Sequence, residues 1–404
     1  MRCCSIASSL LFIVGSAAGQ DDSPRGSTSR QSTDSLSSTQ ITSGTDQVAL
    51  DGTGLLVPAN DSRVSYTNGR FFHTVSSTGA SETRFDWINS QISLTFTASA
   101  SLAVTLSSHG VFNVSIDDST PFALTCNGSA RYALASGLDT SAVHNVSLTL
   151  RTEAKVSNRT TPLAETPSKF RGFALDSGAV VSPTIRTFSG KLVVVGDSIT
   201  AGWGNTAICC GKPAARSEPC AEDGTQSYGS MVGRALGLET QVIASGGSGF
   251  GTGGKNIGNK TGVDWTEFAM ETLLFRELQF DASAGLTNLS AFVPDYLVMD
   301  VGTNDAGMIG SNPAAWEAIY VGVLQKLRAA WPHARFMLGC APWTSYATQI
   351  QTVITNFGDS ANRTVHLDWG DFKAVARGCF NHPSIAGHVT MAAKVASAIE
   401  ALPK

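Results

Sequence analysis

Apolar positions along this chain change their period near residue 188. Between about Val48 and Thr187 they alternate with polar ones in short runs, QISLTFTAS, SLAVTLSS, FNVSIDD and HNVSLTLRTEA, parted by turn residues such as STG, SHG and CNGS. Alternation of period two gives a strand one inward and one outward face, so this part predicts an antiparallel β-sandwich. From Gly190 onward, short wholly apolar runs alternate with stretches of helical period. Strands are expected near Leu192–Val195, Gln241–Ala244, Tyr296–Asp300, Arg335–Leu338 and Thr364–Leu367, and helices near Gln226–Leu236, Ala314–Ala330, Ser345–Asn356 and Ala386–Leu402. Strand followed by helix, repeated, predicts an α/β fold with a parallel sheet covered on both faces.

The ends of the pattern divide the chain further. Residues 1–19 combine an arginine, a short apolar stretch and small residues, the form of a secretory signal peptide. Residues 20–46 are almost entirely polar and cannot bury enough surface to fold, so they read as a disordered or O-glycosylated leader. The sandwich then spans 47–187 and the α/β domain 188–404. Sequons at Asn60, Asn113, Asn127, Asn145, Asn158, Asn259, Asn288 and Asn362 agree with a secreted, extracellular glycoprotein.

With 42% hydrophobic residues the chain can fill a large core, and its formal net charge of −4 includes no basic cluster. Nucleic acid and anionic membrane surfaces, which need concentrated Lys and Arg, are therefore not expected as partners. A monomer acting on a neutral polymer or a small ester fits better.

Candidate chemistry sits at the end of the first predicted parallel strand, in KLVVVGDSITAGWG, where an apolar run meets a serine on a polar turn. Reactive groups in open α/β sheets collect at the carboxyl ends of strands, which makes Ser198 a candidate nucleophile. A serine hydroxyl needs a base and oxyanion donors. His382 is set before Pro383 and a terminal amphipathic helix, in a loop able to face that strand end; Asn304 in DVGTND follows another strand to the same edge. His388 falls inside the helix and reads as packing or capping, and Asp305 as structural. Gly249, Gly251 and Gly254 satisfy G-x-G-x-x-G, yet the run follows the second strand and Asn256 stands where a phosphate loop needs Ser or Thr, so no nucleotide is implied. In the sandwich, Asp117, Asp118 and His144 read as turn and surface residues.

Four blocks in order, VVVGDSIT, ASGGSGF, DVGTND and NHPSIAGH, resemble those of the SGNH, or GDSL-like, hydrolases. The resemblance implies a three-layer α/β/α domain, a Ser198 nucleophile with His382 as base, and an oxyanion hole of the Ser198 and Gly247 N–H groups and the Asn304 amide. Gly246 is the alternative to Gly247, because an extra small residue blurs the alignment. The family places an Asp three residues before its base, where this chain has Cys379. One branch resembles the whole chain: a jelly-roll-like sandwich, then an SGNH domain ending in GC-x-x-HP-x-x-x-GH. That branch is carbohydrate esterase family two, and its likeness implies a Ser–His dyad with a main-chain carbonyl in place of the Asp, Asp368 and Asp371 being fallback orienters.

The same resemblance implies a secreted serine esterase that deacetylates plant cell-wall polysaccharide, acetyl xylan or acetyl mannan, with no metal or cofactor. Trp203 and Trp343 are candidate sugar platforms, since aromatic faces suit sugar rings. Two other readings stand beside it: a general small-acyl or lipid esterase, and a carbohydrate-binding protein with an idle hydrolase domain. Of the cysteines left after the signal, Cys340 and Cys379 are expected at the carboxyl edge and to pair. Cys209 or Cys210 is expected to close a short ring with Cys220, the leftover one reaching Cys126.

Overall fold

The computed structural model describes residues 54–153, 167–206, 210, 221–251, 268–340, 346–360, 362–370 and 375–402; the expected signal peptide and leader lie outside them. The strands described in the first half are β1 (Leu55–Pro58), β2 (Ser65–Thr67), β3 (Phe72–Val75), β4 (Ser81–Phe85), β5 (Gln91–Thr97), β6 (Ser101–Ser108), β7 (Val111–Ile116), β8 (Phe122–Thr125), β9 (Gly128–Ser136), β10 (His144–Leu150), β11 (Ser168–Leu175) and β12 (Val180–Ser182). They form two antiparallel sheets, β3-β4-β11-β6-β9 with β1 also on β11, and β12-β5-β10-β7-β8 with β2 also on β5. The inward positions close a core that includes Phe85 and Phe173 from one sheet and Phe96 and Phe112 from the other. This is the expected sandwich, and the period-two alternation is what makes each sheet one-sided.

Asp117 and Asp118 do form a left-handed turn, with φ of 53° and 56°. His144 departs from expectation, because it is 5% exposed and not at the surface. Its Nδ1 lies 2.6 Å from Asp117 Oδ2 and its Nε2 2.9 Å from the Asp139 carbonyl. Burial opposes the charge, but these two acceptors prevail and raise the imidazole pKa. The pair thus locks the turn to β10.

The second half contains β13 (Gly190–Gly196), β14 (Leu238–Ala244), β15 (Tyr296–Asp300), β16 (Arg335–Gly339) and β17 (Thr364–His366), all parallel, in the order β14-β13-β15-β16-β17. Its helices are α1 (Ser198–Ala201), α2 (Tyr228–Leu236), α3 (Met270–Leu273), α4 (Ala306–Ser311), α5 (Pro313–Ala330), α6 (Ala347–Phe357) and α7 (Ile385–Ala401). Val193 and Val195 pack with Trp316, Tyr320 and Leu324 of α5, while Leu192 and Val194 pack with Tyr228 and Val232 of α2 and Val395 of α7. A strand buried on both faces has no polar side, which is why its sequence reads as a continuous apolar run.

The two halves share an interface that polar groups define. β14 is an edge strand, and an open edge exposes unpaired backbone groups. Here Thr240 donates its N–H to Asn68 Oδ1 at 2.9 Å and accepts from Asn89 Nδ2 at 3.2 Å, so the sandwich caps the edge. Asp86 accepts from the backbone of Gln279 and Phe280, Arg70 donates to the carbonyls of Leu274 and Arg276, and the Trp87 ring enters the core on the α5 face. Asn113 donates its amide to Thr225 Oγ1 at 2.7 Å across the same junction, so its sequon nitrogen is occupied in the fold.

Candidate active site

Parallel register brings three loops to one edge. Gly196 at the end of β13 is level with Ala244 of β14 and Asp300 of β15. The segments that follow these strands hold Ser198, the turn Ser245–Ser248, and Asn304. Asp197 caps α1 by accepting from the Ile199 N–H at 3.0 Å, which fixes Ser198 as its first residue. The α1 turn then ends at Gly202, and the chain passes through Gly204.

At Gly204 (φ 73°) a side chain would strike the Cys379 carbonyl and His382 Cβ. Its absence lets two backbones meet, and the Cys379 N–H donates to the Gly204 carbonyl at 2.7 Å. This clamp carries the turn Cys379–Asn381 to Ser198. Phe380 and Asn381 are both left-handed, with φ of 56° and 61°, a costly conformation for phenylalanine that persists only where surroundings enforce it. The outcome is a carbonyl aimed at an imidazole. His382 Nδ1 lies 3.0 Å from the Phe380 oxygen, and His382 Nε2 lies 2.8 Å from Ser198 Oγ.

A carbonyl can only accept, so Nδ1 carries the proton and Nε2 presents its lone pair to the serine. The backbone acceptor expected in place of an Asp is therefore Phe380. Asp368 instead accepts from the Gly370 N–H, and Asp371 lies outside the described residues.

The pairing of Cys340 with Cys379 does not form, because Cys379 is bonded to Cys210, with a Cα–Cα distance of 5.4 Å. The reason is position. Cys340 packs into the core on the α5 face, whereas Cys379 is pinned to Gly204, just after α1. Cys210 is thereby not the partner of Cys220, and Cys126 is buried in the sandwich with no disulfide. Cys209 and Cys220 lie outside the described residues.

The turn after β14 separates Gly246 from Gly247. The Ser245 N–H donates to the Gly196 carbonyl and the Ser248 N–H to the Ser245 carbonyl, both at 3.2 Å. The Gly246 N–H donates to Glu153 Oε1 at 2.6 Å. Gly247, at φ 86°, has no acceptor for its N–H among the described residues. Asn304 reaches the same edge, yet its Nδ2 donates to the Ser248 carbonyl at 2.8 Å and to Asp197 Oδ2 at 3.2 Å. Asp305 accepts from the Phe250 N–H and Trp316 Nε1, a structural position as expected. His388 Nδ1 accepts from the Tyr228 N–H at the start of α2, and burial pushes its pKa down to about 3, so it is a neutral cap.

Beneath the site, burial first, and then like charge, raises two carboxyls: Asp197 to about 7 and Asp300 to about 8. Trp203 is 8% exposed and its ring stacks on Phe380 at 6.0 Å, so it is largely buried where a sugar platform was expected. Trp343 lies outside the described residues. Among those residues no group of three or more His, Cys, Asp or Glu could hold a metal ion.

Comparison with known proteins accounts for both halves. Residues 194–388 match the GDSL-like Lipase/Acylhydrolase family, and residues 69–183 match the Carbohydrate esterase 2 N-terminal family. Residues 194–388 thus form a GDSL-like hydrolase domain, preceded at residues 69–183 by a carbohydrate esterase 2 N-terminal domain. It is similar to the cellulase/esterase CelE of Acetivibrio thermocellus, at 25% identity over 78% of this chain. It spans only 37% of that relative's length.

Three solved structures share the fold. The carbohydrate esterase family 2 enzyme with a carbohydrate binding domain from Corynascus thermopiles (Myceliophthora fergusii) is 24% identical, covering 84% of this chain and 99% of that one, with a TM-score of 0.64. The family two esterase from Clostridium thermocellum in complex with cellohexaose is 23% identical over 83% and 98%, TM-score 0.63. The acetyl xylan esterase Est2A from Butyrivibrio proteoclasticus is 15% identical over 86% and 98%, TM-score 0.67.

Proposed function

We propose that this protein is a secreted serine esterase that removes acetyl groups from plant cell-wall polysaccharide, acetyl xylan or acetyl mannan, by a Ser–His dyad. The observation that carries the reading is the line from the Phe380 carbonyl through His382 to Ser198, at 3.0 and 2.8 Å. Ser198 Oγ attacks the acetyl carbonyl while His382 Nε2 takes its proton. The imidazolium is held by Phe380 and gives the proton to the departing sugar oxygen, which leaves as a hydroxyl as the C–O bond breaks. Water activated by the same histidine then hydrolyses the acyl-enzyme.

The tetrahedral oxyanion is met by the N–H groups of Ser198 and Gly247. Asn304 joins them by turning its amide from Asp197, the longer of its two bonds. The choice of a glycan substrate is supported by the N-terminal domain's family, by the cellohexaose held by one structural relative, and by the acetyl xylan esterase name of another. The Cys210–Cys379 bond supports secretion, since such bonds persist in oxidising compartments.

The test measures acetate released from acetylated xylan, acetylated glucomannan and a series of model esters of increasing acyl length, with wild type and Ser198→Ala. Polysaccharide deacetylation lost in Ser198→Ala is the expected result. A preference for long acyl chains would assign the site to lipid esters, and turnover unchanged by Ser198→Ala would overturn the mechanism.

A further inference from the structure

The hydrolase site is completed by a side chain from the other half of the chain. After β10 the chain is fastened at successive residues: the Arg151 N–H donates to the Val111 carbonyl, the Arg151 carbonyl accepts from the Gly224 N–H at 2.7 Å, and Thr152 Oγ1 accepts from the Val111 N–H at 3.1 Å. The Arg151 guanidinium also donates to the Glu222 carbonyl and pairs with Asp223 at 3.4 Å. The next residue, Glu153, is 3% exposed and delivers its carboxylate to the Gly246 N–H at 2.6 Å. A Cβ on Gly246 would lie 2.9 Å from Glu153 Oε2, so the carboxylate rests directly on the glycine backbone.

We propose that Glu153 is a positioning residue for the oxyanion hole: its carboxylate holds the Gly246 N–H and thereby aims the Gly247 N–H at the reacting carbonyl. The proposal rests on the esterase reading above. The turn has two glycines in succession and little intrinsic stiffness. Three of its four N–H groups are held, by Gly196, Ser245 and Glu153, and only the grip on Gly246 comes from outside the α/β domain. Without that grip the Gly246–Gly247 unit can rotate, and an oxyanion donor that swings away contributes nothing when negative charge develops. A carboxylate here could not itself favour an oxyanion. Its contribution is geometric, as a strong acceptor fixed by a rigid neighbour.

This separates the proposal from an electrostatic role. Glu153→Gln keeps a carbonyl oxygen that accepts the same hydrogen bond, whereas Glu153→Ala removes the acceptor. Losing one oxyanion donor costs ~10²–10³ in kcat, and a donor left mobile should cost part of that, ~10–10². Glu153→Ala should therefore lower kcat on a small acetate ester by ~10–10², with KM within about threefold. Its rate of inactivation by a phosphonate, which mimics the tetrahedral intermediate, should fall in the same proportion, and Glu153→Gln should restore both to within about fivefold of wild type.

Thermal midpoints are measured for each variant, so that turnover is compared per folded molecule. Wild-type kcat per folded Glu153→Ala, a change in KM alone, or a Gln variant as impaired as Ala would overturn the proposal. Ser198→Ala run in parallel tells the two readings apart. Its loss of turnover beside an unimpaired Glu153→Ala refutes the positioning role alone, while turnover retained in Ser198→Ala removes both.

Discussion

The bond between Cys210 and Cys379 joins residues 169 apart in sequence, and it ends one residue before the carbonyl that orients His382. Removing it with the paired substitution Cys210→Ala/Cys379→Ala tests stability and catalysis together. In the chain-entropy account, releasing a loop of this size costs about 5 kcal/mol, the upper end of what disulfides contribute. For a cooperative unit of roughly 350 residues, each kcal/mol shifts the melting midpoint by about 1–2 °C, so a fall of about 5–10 °C is expected by calorimetry. Catalysis should suffer separately. The left-handed Phe380 costs on the order of 1–3 kcal/mol to hold, and the disulfide is one of the restraints that hold it, beside the Gly204 clamp and the Trp203 stack. Once loosened, the Phe380 carbonyl fixes the imidazole tautomer for only part of the time. Losing the orienting group of a triad outright costs on the order of 10⁴, so a loosened one should lower kcat by about 10–10² at temperatures where the variant is fully folded. A variant whose midpoint and kcat both match wild type would show that the turn is held without the bond and would refute this account.

Two further outcomes follow from the buried polar groups. Under the proposed oxyanion role, Asn304→Ala should lower kcat by ~10²–10³ with little change in KM; a kcat within threefold of wild type would refute that role and leave Asn304 a structural residue, as in its bonds to Asp197 and Ser248. Asp197 and Asp300 hold protons up to about pH 7 and 8, whereas an unfolded aspartate loses its proton near 4. The native state therefore binds more protons across that window, and their contribution to stability falls as pH rises through it. Asp300→Asn, which cannot ionise, should flatten the decline of melting midpoint between pH 5 and 9, and an unchanged slope would locate the titration elsewhere.

Legibility in the sequence followed the number of residues that share a constraint. The central parallel strands are readable because burial on both faces leaves an unbroken apolar run, as in Leu192–Val195, whereas β17, Thr-Val-His, is short and only partly buried. Strands β5, β6, β7 and β10 are readable because each runs six to eight residues with apolar and polar positions mostly alternating. Three- and four-residue strands such as β2, β3 and β12 carry too few positions to show a period, and α4, AGMIGS, has two glycines in six residues. In the site, side chains with characteristic chemistry stood out, and Ser198 and His382 do meet. The Phe380 carbonyl had no letter to mark it. Cys209, Cys210 and Cys220 are equivalent as letters, and only the Gly204 clamp decides which loop Cys379 approaches. Glu153 belongs to no motif near Ser198 and comes from the other half of the chain.

Replacing an orienting aspartate by a backbone carbonyl changes what the surrounding residues must do. An aspartate brings its own charge and needs only a place to sit, but a carbonyl is as well placed as the turn that bears it. The restraint accordingly moves from one side chain to a set: Gly204 admits the turn, Cys210 ties it covalently, and Trp203 covers the Phe380 ring. Trp203, expected as a sugar platform, is 8% exposed and stacks on Phe380, which makes it part of this support. The pattern recurs at the Gly246–Gly247 turn, which is also held from outside, by Glu153. Both backbone elements to which the proposed mechanism gives a role are tied to groups distant in sequence. On the proposed reading, the sandwich is a structural component of the site, through the Glu153 carboxylate on the Gly246 N–H.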